Sequence, residues 1–100
     1  MLKENKVFDE ELEKYRKKID RIDDKIIKLL DERGKLAKNL GIFKKKHNVD
    51  IYQPEREEYV IERMSNKSKI LKNISIESIW REIIKGCKII QTMDIPEKKY

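Results

Sequence analysis

Apolar residues return along the first half of the chain at alternating steps of three and four: Leu12, Tyr15, Ile19, Ile22, Ile26 and Leu29, then Leu36, Leu40 and Phe43. A seam with this seven-residue repeat predicts one very long helix from about Asp9 to about His47, packed along its length on other helices. One beat breaks the pattern, because the seam position between Leu29 and Leu36 is Arg33. A guanidinium in an apolar seam is costly unless an anion meets it there. Lys44 lies about 20° round the helix from Arg33 and roughly 16 Å along it, so the two cations point the same way. Arg16 sits just off the same seam, roughly 25 Å back from Arg33.

A helix of about forty residues extends for more than roughly 50 Å, whereas a small domain is about 30 Å across. The rest of a chain this short cannot cover it, and self-association with two-fold symmetry is the simple solution. If two copies run antiparallel about Ile26, Arg16 of one lands opposite Leu36 of the other, between Arg33 and Lys44. Three cations from two chains then converge on one pocket, and a dimer holds two such pockets.

The remaining pattern is also helical. Asp9 can cap the long helix, with Glu10 and Glu11 in its first turn, and residues 1–8 read as a loose lead-in. Gly34 and Gly41 fall inside the helix, where each costs on the order of 1 kcal/mol relative to alanine; they either allow close helix approach or are simply tolerated there. Lys44, Lys45 and Lys46 suit its negative end, and residues 47–50 read as the turn. Pro54 is placed to open a second helix, with Tyr59, Val60 and Met64 on its apolar side, fading near residues 65–68. Residues 70–74 read as a connection and Ser75 as the cap of a third helix. There Ile76, Ile79, Trp80, Ile83, Cys87 and Ile90 share one face, with Gln91 on the same face one turn after Cys87. Pro96 and the charged end, 94–100, should stop that helix and form a loose terminus. No strand pattern competes, so the fold class is all-α: a three-helix protomer, a single domain spanning 1–100, in an intertwined antiparallel homodimer.

Composition strengthens the oligomer argument. Apolar residues make up 38% of the 100 and charged residues 44%, which leaves a thin core for one protomer. The net charge of +6 points to an anionic partner, although basic and acidic residues alternate along helical faces as on a solvated surface. One cysteine excludes an internal disulfide. No apolar run approaches membrane-spanning length and the charged N-terminus lacks a secretory pattern, so the expected location is the cytoplasm. His47 is a lone histidine without a partner at ligand spacing.

Chemistry must therefore come from polar residues set into apolar helical faces: Arg33, Lys44, Glu57, Cys87 and Gln91, with Arg16 from a partner. No metal constellation, Gly-rich phosphate loop or Ser/His/Asp set is present. Fixed cations with a neutral amide suit binding of a small dicarboxylate and stabilisation of negative charge developing on an oxygen.

Three blocks in order resemble the all-helical chorismate mutase family, over roughly residues 12–92. The first is Tyr15-Arg16-Lys17-Lys18-Ile19-Asp20-Arg21-Ile22-Asp23, followed by Leu29-Leu30-Asp31-Glu32-Arg33 and then Lys44, which resembles the family's R-x-x-I-D-x-I-D…L-L-x-x-R pattern with its downstream lysine. The second is Pro54-Glu55-Arg56-Glu57, similar to D-x-x-R-E. The third, Ile83 to Gln91, is similar to I-I-x-x-S-x-x-x-Q. The resemblance implies a homodimer with two shared active sites and a cofactor-free pericyclic rearrangement of chorismate to prephenate, in the biosynthesis of phenylalanine and tyrosine. It implies that Arg16 of the partner chain and Arg33 pair with the substrate carboxylates, and that Lys44 and Gln91 donate toward the breaking ether oxygen. It also implies that Glu57 accepts from the ring hydroxyl, with Arg56 in support. Two positions depart from the pattern: Gln53 stands where the family usually has Asp, and Cys87 where it often has Ser. A thiol is a weaker donor than a hydroxyl, so one carboxylate contact is weakened.

Other readings stay open. A relative of the same fold removes pyruvate from isochorismate with a similar cationic pocket. A basic helical dimer could instead bind nucleic acid with steep salt dependence, or serve only for dimerisation. Neither of the last two gives Arg33 a reason to occupy a seam position, so the expected partners are chorismate and a second copy of the chain, with no nucleic acid and no membrane.

Overall fold

The computed structural model of the chain describes residues 3–93. Three helices follow one another: α1 is Lys3–Lys46, α2 is Pro54–Lys67 and α3 is Asn73–Thr92. The chain is all-α, with no strand among the described residues. None of these helices is long and apolar enough to cross a membrane. Residues up to Glu32 and residues from Arg33 onward form two compact units, and α1 runs through the boundary between them.

Helix α1 starts earlier than Asp9, and the expected lead-in is helical from Lys3. Residues 3–8 contain neither glycine nor proline, and extending an existing helix costs far less than nucleating one. Residues 1, 2 and 94–100, including Pro96, lie outside the described residues. In the first unit the seam is solvent-facing: Tyr15, Ile19, Ile22 and Leu29 are each more than half exposed.

The end of α1 is a capped stop. Asn48 adopts φ 56°, the left-handed region in which asparagine is the best tolerated residue after glycine. That turn lets the Val49 N–H donate to the Lys44 carbonyl at 2.8 Å and the Asn48 N–H to the Lys45 carbonyl at 3.4 Å. The paired bonds are those of a Schellman motif, which satisfies carbonyls the helix would otherwise leave open.

Helix α2 opens at Pro54, as its sequence predicts, and the Glu57 N–H donates to the Gln53 carbonyl at 3.1 Å. The connection to α3 is shorter than expected. The Ser68 hydroxyl accepts from the Leu71 N–H and donates to the Leu71 carbonyl, both at 3.2 Å, which turns the chain quickly enough for α3 to begin at Asn73. Ser75 is consequently inside the helix, and Lys72 takes the cap position without a side-chain bond.

The core of the second unit is small. Val60 and Ile61 of α2 bury against Ile84 of α3, with Met64 and Trp80 partly buried around them. On α3 the expected Ile76 and Cys87 are buried, joined by Ile84, whereas Ile79 is 45% exposed. Outside that core the Arg81 guanidinium donates to Glu77 at 2.8 Å on its own helix and to Glu58 of α2 at 3.1 Å. These bonds, to Glu77 first and Glu58 second, hold its pKa above the ordinary arginine value. The bridge to α2 therefore keeps its positive end at any pH a folded protein meets.

Candidate active site

A cleft of about 260 Å³ opens between the end of α1, the start of α2 and the second half of α3. Its apolar floor is the buried Ala37, Val60 and Ile84, with the more exposed Leu36 and Leu40 also lining it. Its polar lining is Arg33 and Lys44 from α1, Gln53, Arg56 and Glu57 around the start of α2, and Cys87, Lys88 and Gln91 from α3. Seven of the eight residues singled out from sequence thus face one space. The eighth, Arg16, belongs to the first unit, where its guanidinium pairs with Glu13 at 3.2 Å on the surface.

Helical spacing explains the α1 contribution, since Arg33, Ala37, Leu40 and Lys44 recur at steps of three and four on one face. Arg33 is only partly exposed, and its guanidinium lies over the Trp80 ring at 5.7 Å from the centroid. A cation held over an indole face keeps its charge while its stem stays against apolar surface. That geometry answers how an arginine can occupy a seam position.

Lys44 is held from two sides. Its ammonium donates to the Ile51 carbonyl at 3.3 Å and to the Gln91 Oε1 at 3.4 Å. Three N–H groups are available to an ammonium, so one stays free for a ligand. With Oε1 turned to Lys44, the Gln91 amide NH₂ is left as a donor. Close approach of the two helices makes this contact possible: a Cβ built on Gly41 would stand 3.0 Å from Cα, Cβ and Cγ of Gln91.

At the other end of the cleft, Glu57 sits in the first turn of α2, where the helix dipole favours a carboxylate. Its Oε1 pairs with the Lys88 ammonium at 2.8 Å, and the Glu57 side chain is 19% exposed. Lys88 also lies 5.0 Å from the Tyr52 ring centroid. Gln53 donates its amide to the Asp50 carbonyl at 3.1 Å, which leaves its own side-chain oxygen as an acceptor. Cys87 is buried as a free thiol.

Sequence reading passed over Lys88, the Ile51 carbonyl and the role of Trp80 beneath Arg33. Lys88 stands in a run with Lys85 that looks like a solvated face, and no local spacing announces a partner on another helix. A backbone carbonyl carries no sequence signal at all.

Four cations face the cleft against one carboxylate, with an amide donor and an apolar floor between them. The arrangement defines an all-helical protein whose pocket suits a small organic anion bearing more than one acidic group. Residues 15–92 match the family described as chorismate mutase type II, and the chain belongs to that family. It is 38% identical over 91 residues to the chorismate mutase of Methanocaldococcus jannaschii, covering 88% of this chain and 91% of that one. It is 43% identical over 83 residues to a bifunctional chorismate mutase/prephenate dehydratase of Aquifex aeolicus, covering 78% of this chain. A protein of the same description from Neisseria gonorrhoeae is 33% identical over 88 residues. The chain spans about a quarter of the length of these two bifunctional relatives, 23% and 24%. Among solved structures, a conserved hypothetical protein from Pyrococcus furiosus superposes with a TM-score of 0.69 at 34% identity, over 80% of this chain and 93% of that one.

Proposed function

We propose that this protein is a chorismate mutase, rearranging chorismate to prephenate on the route to phenylalanine and tyrosine. The observation that carries the reading is the convergence of Arg33, Lys44, Glu57 and Gln91 on one cleft in a chain of this family. The reaction breaks one C–O bond and forms one C–C bond within a single molecule, with no covalent intermediate. Such a site has two tasks: to hold the folded reactive conformer and to stabilise negative charge growing on the ether oxygen. Arg33 pairs with one substrate carboxylate, and its planar fork suits that geometry. The free N–H of Lys44 and the amide NH₂ of Gln91 donate to the ether oxygen. Glu57 accepts from the ring hydroxyl, Arg56 supports it, and Gln53 and Cys87 complete the contacts to substrate.

The second carboxylate is met by Arg16 of a second copy. In this reading the whole chain is one catalytic domain and works as an antiparallel homodimer, in which the exposed seam of Tyr15, Ile19, Ile22, Ile26 and Leu29 is covered by its equivalent. Pairing about Ile26 sets Arg16 opposite Leu36, between Arg33 and Lys44, and completes two cytoplasmic, cofactor-free sites per dimer.

The test is loss of chorismate absorbance with purified protein, with the product identified, for wild type and Arg33→Ala. Prephenate should form with wild type, and kcat/KM should fall by at least about a hundredfold in the variant, the scale of losing one preorganised charged contact. A stable, dimeric wild type that leaves chorismate untouched overturns the assignment.

A further inference from the structure

Lys88 is a cation in the cleft that the proposed reaction leaves without a task. It projects from α3 beside Cys87, and its ammonium holds Glu57 Oε1 of α2 at 2.8 Å. The same ammonium lies 5.0 Å from the centroid of Tyr52, in the loop that follows α1. Lys88 therefore ties three segments of the cleft together at the carboxylate: α3, the first turn of α2 and the loop.

The chemistry at Glu57 depends on that tie. An ionised carboxylate on a short flexible stem has two equivalent oxygens and can turn either to solvent or to substrate. With Oε1 fixed on Lys88, rotation about the last side-chain bond is arrested and Oε2 is left to accept from a ligand hydroxyl. Among the described residues the Lys44 ammonium and the Arg33 and Arg56 guanidinia supply the other positive charge to the cleft, and no ion pair joins any of them to Glu57.

We infer that Lys88 is a positioning residue for the rearrangement: it acts through Glu57, presenting one carboxylate oxygen to the ring hydroxyl of the substrate. This rests on the proposed function, because it needs a substrate hydroxyl at Glu57. In this role Lys88 acts through Glu57 and not on the reacting atoms. It determines how well the enzyme distinguishes a substrate with a free hydroxyl from one without.

The experiment compares wild type, Lys88→Met and Lys88→Arg on chorismate and on its O-methyl ether at the ring hydroxyl, which keeps the oxygen but cannot donate. On chorismate, Lys88→Met should lose about ten- to a hundredfold in kcat/KM, the scale of losing one hydrogen bond to a charged group. Lys88→Arg, which keeps the charge at Glu57, should stay within a few-fold of wild type. On the methyl ether, where Glu57 has no proton to accept, wild type and Lys88→Met should differ by less than about threefold. Equal losses on both substrates would mean that Lys88 only supports the fold, and would overturn the inference, as would a Lys88→Met enzyme with unchanged activity or a Lys88→Arg enzyme as poor as Lys88→Met. Wild type inert toward chorismate overturns the proposed function itself and this inference with it; an active wild type with an unaffected variant removes the inference alone.

Discussion

Three glycines within helices offer a graded test of how closely α1 must approach α3. Gly86 lies on the exposed side of α3, where an added Cβ would meet nothing within 4 Å. Gly86→Ala should therefore stabilise by about 1 kcal/mol, the usual difference between the two residues in a helix. At Gly34 a Cβ would stand 3.4 Å from the terminal methyl Cδ1 of Ile90, which can swing aside, so most of that gain should survive. Gly41 is different, because its Cβ would meet three atoms of Gln91 at 3.0 Å, one of them backbone. Relief needs α1 and α3 to part by roughly 0.5 Å or more, toward ordinary carbon contacts of about 3.5–4.0 Å. Overpacking of this kind costs about 1–3 kcal/mol, against about 1 kcal/mol gained in helix propensity, so the net loss of stability should be at most about 2 kcal/mol. Function should suffer far more. Among the described residues the Gln91 side chain has one hydrogen bond, at 3.4 Å to Lys44, and a displacement approaching 1 Å in a positioned group can cost on the order of a hundredfold. The assay is urea unfolding alongside chorismate turnover for the three alanine variants. A Gly41→Ala protein as active as wild type and as stable as Gly86→Ala would refute the account of Gly41 as the spacer that seats Gln91.

Two further substitutions follow from the same geometry. Asn48→Gly should leave stability unchanged or slightly raised, and Asn48→Ala should lower it by about 1 kcal/mol, because φ 56° suits glycine and opposes a Cβ without asparagine's local bonding; thermal unfolding measures both, and equal values would refute the strained-cap reading. Cys87→Ser restores the stronger donor in a buried position, so KM for chorismate should fall a few-fold while stability drops by about 1 kcal/mol from the buried hydroxyl, read by steady-state kinetics and unfolding; an unchanged KM would remove Cys87 from contact with substrate.

The three helices and the cleft-facing residues of α1 were legible because helix periodicity is local: Arg33, Leu40 and Lys44 share a face as soon as the segment is helical. Helix starts were less legible. Asp9 and Ser75 are good caps by type, yet α1 begins at Lys3 and α3 at Asn73, since neighbouring good helix formers and the Ser68–Leu71 turn outweigh a single capping side chain. The pairings of Lys88 with Glu57 and of Arg33 with Trp80 were hidden for another reason. Each joins residues on different helices, and their distance depends on how those helices pack. Arg16 shows the limit most plainly, because its proposed task depends on a second chain that one protomer's residues describe only through an uncovered seam.

Lys44 carries a consequence for how this protein can vary. Its carbonyl anchors the capped end of α1 through Val49, while its ammonium grips the Ile51 carbonyl seven residues on and Gln91 beyond it. The loop between is thus a measured tether and not a spacer. Inserting one residue between Asn48 and Asp50 would add roughly 3.5 Å of chain and offer Lys44 a different carbonyl, or none. Apart from Asn48, whose backbone favours asparagine or glycine, side chains in this loop can change while its length cannot, so among descendants of this sequence substitutions should accumulate there and insertions should not.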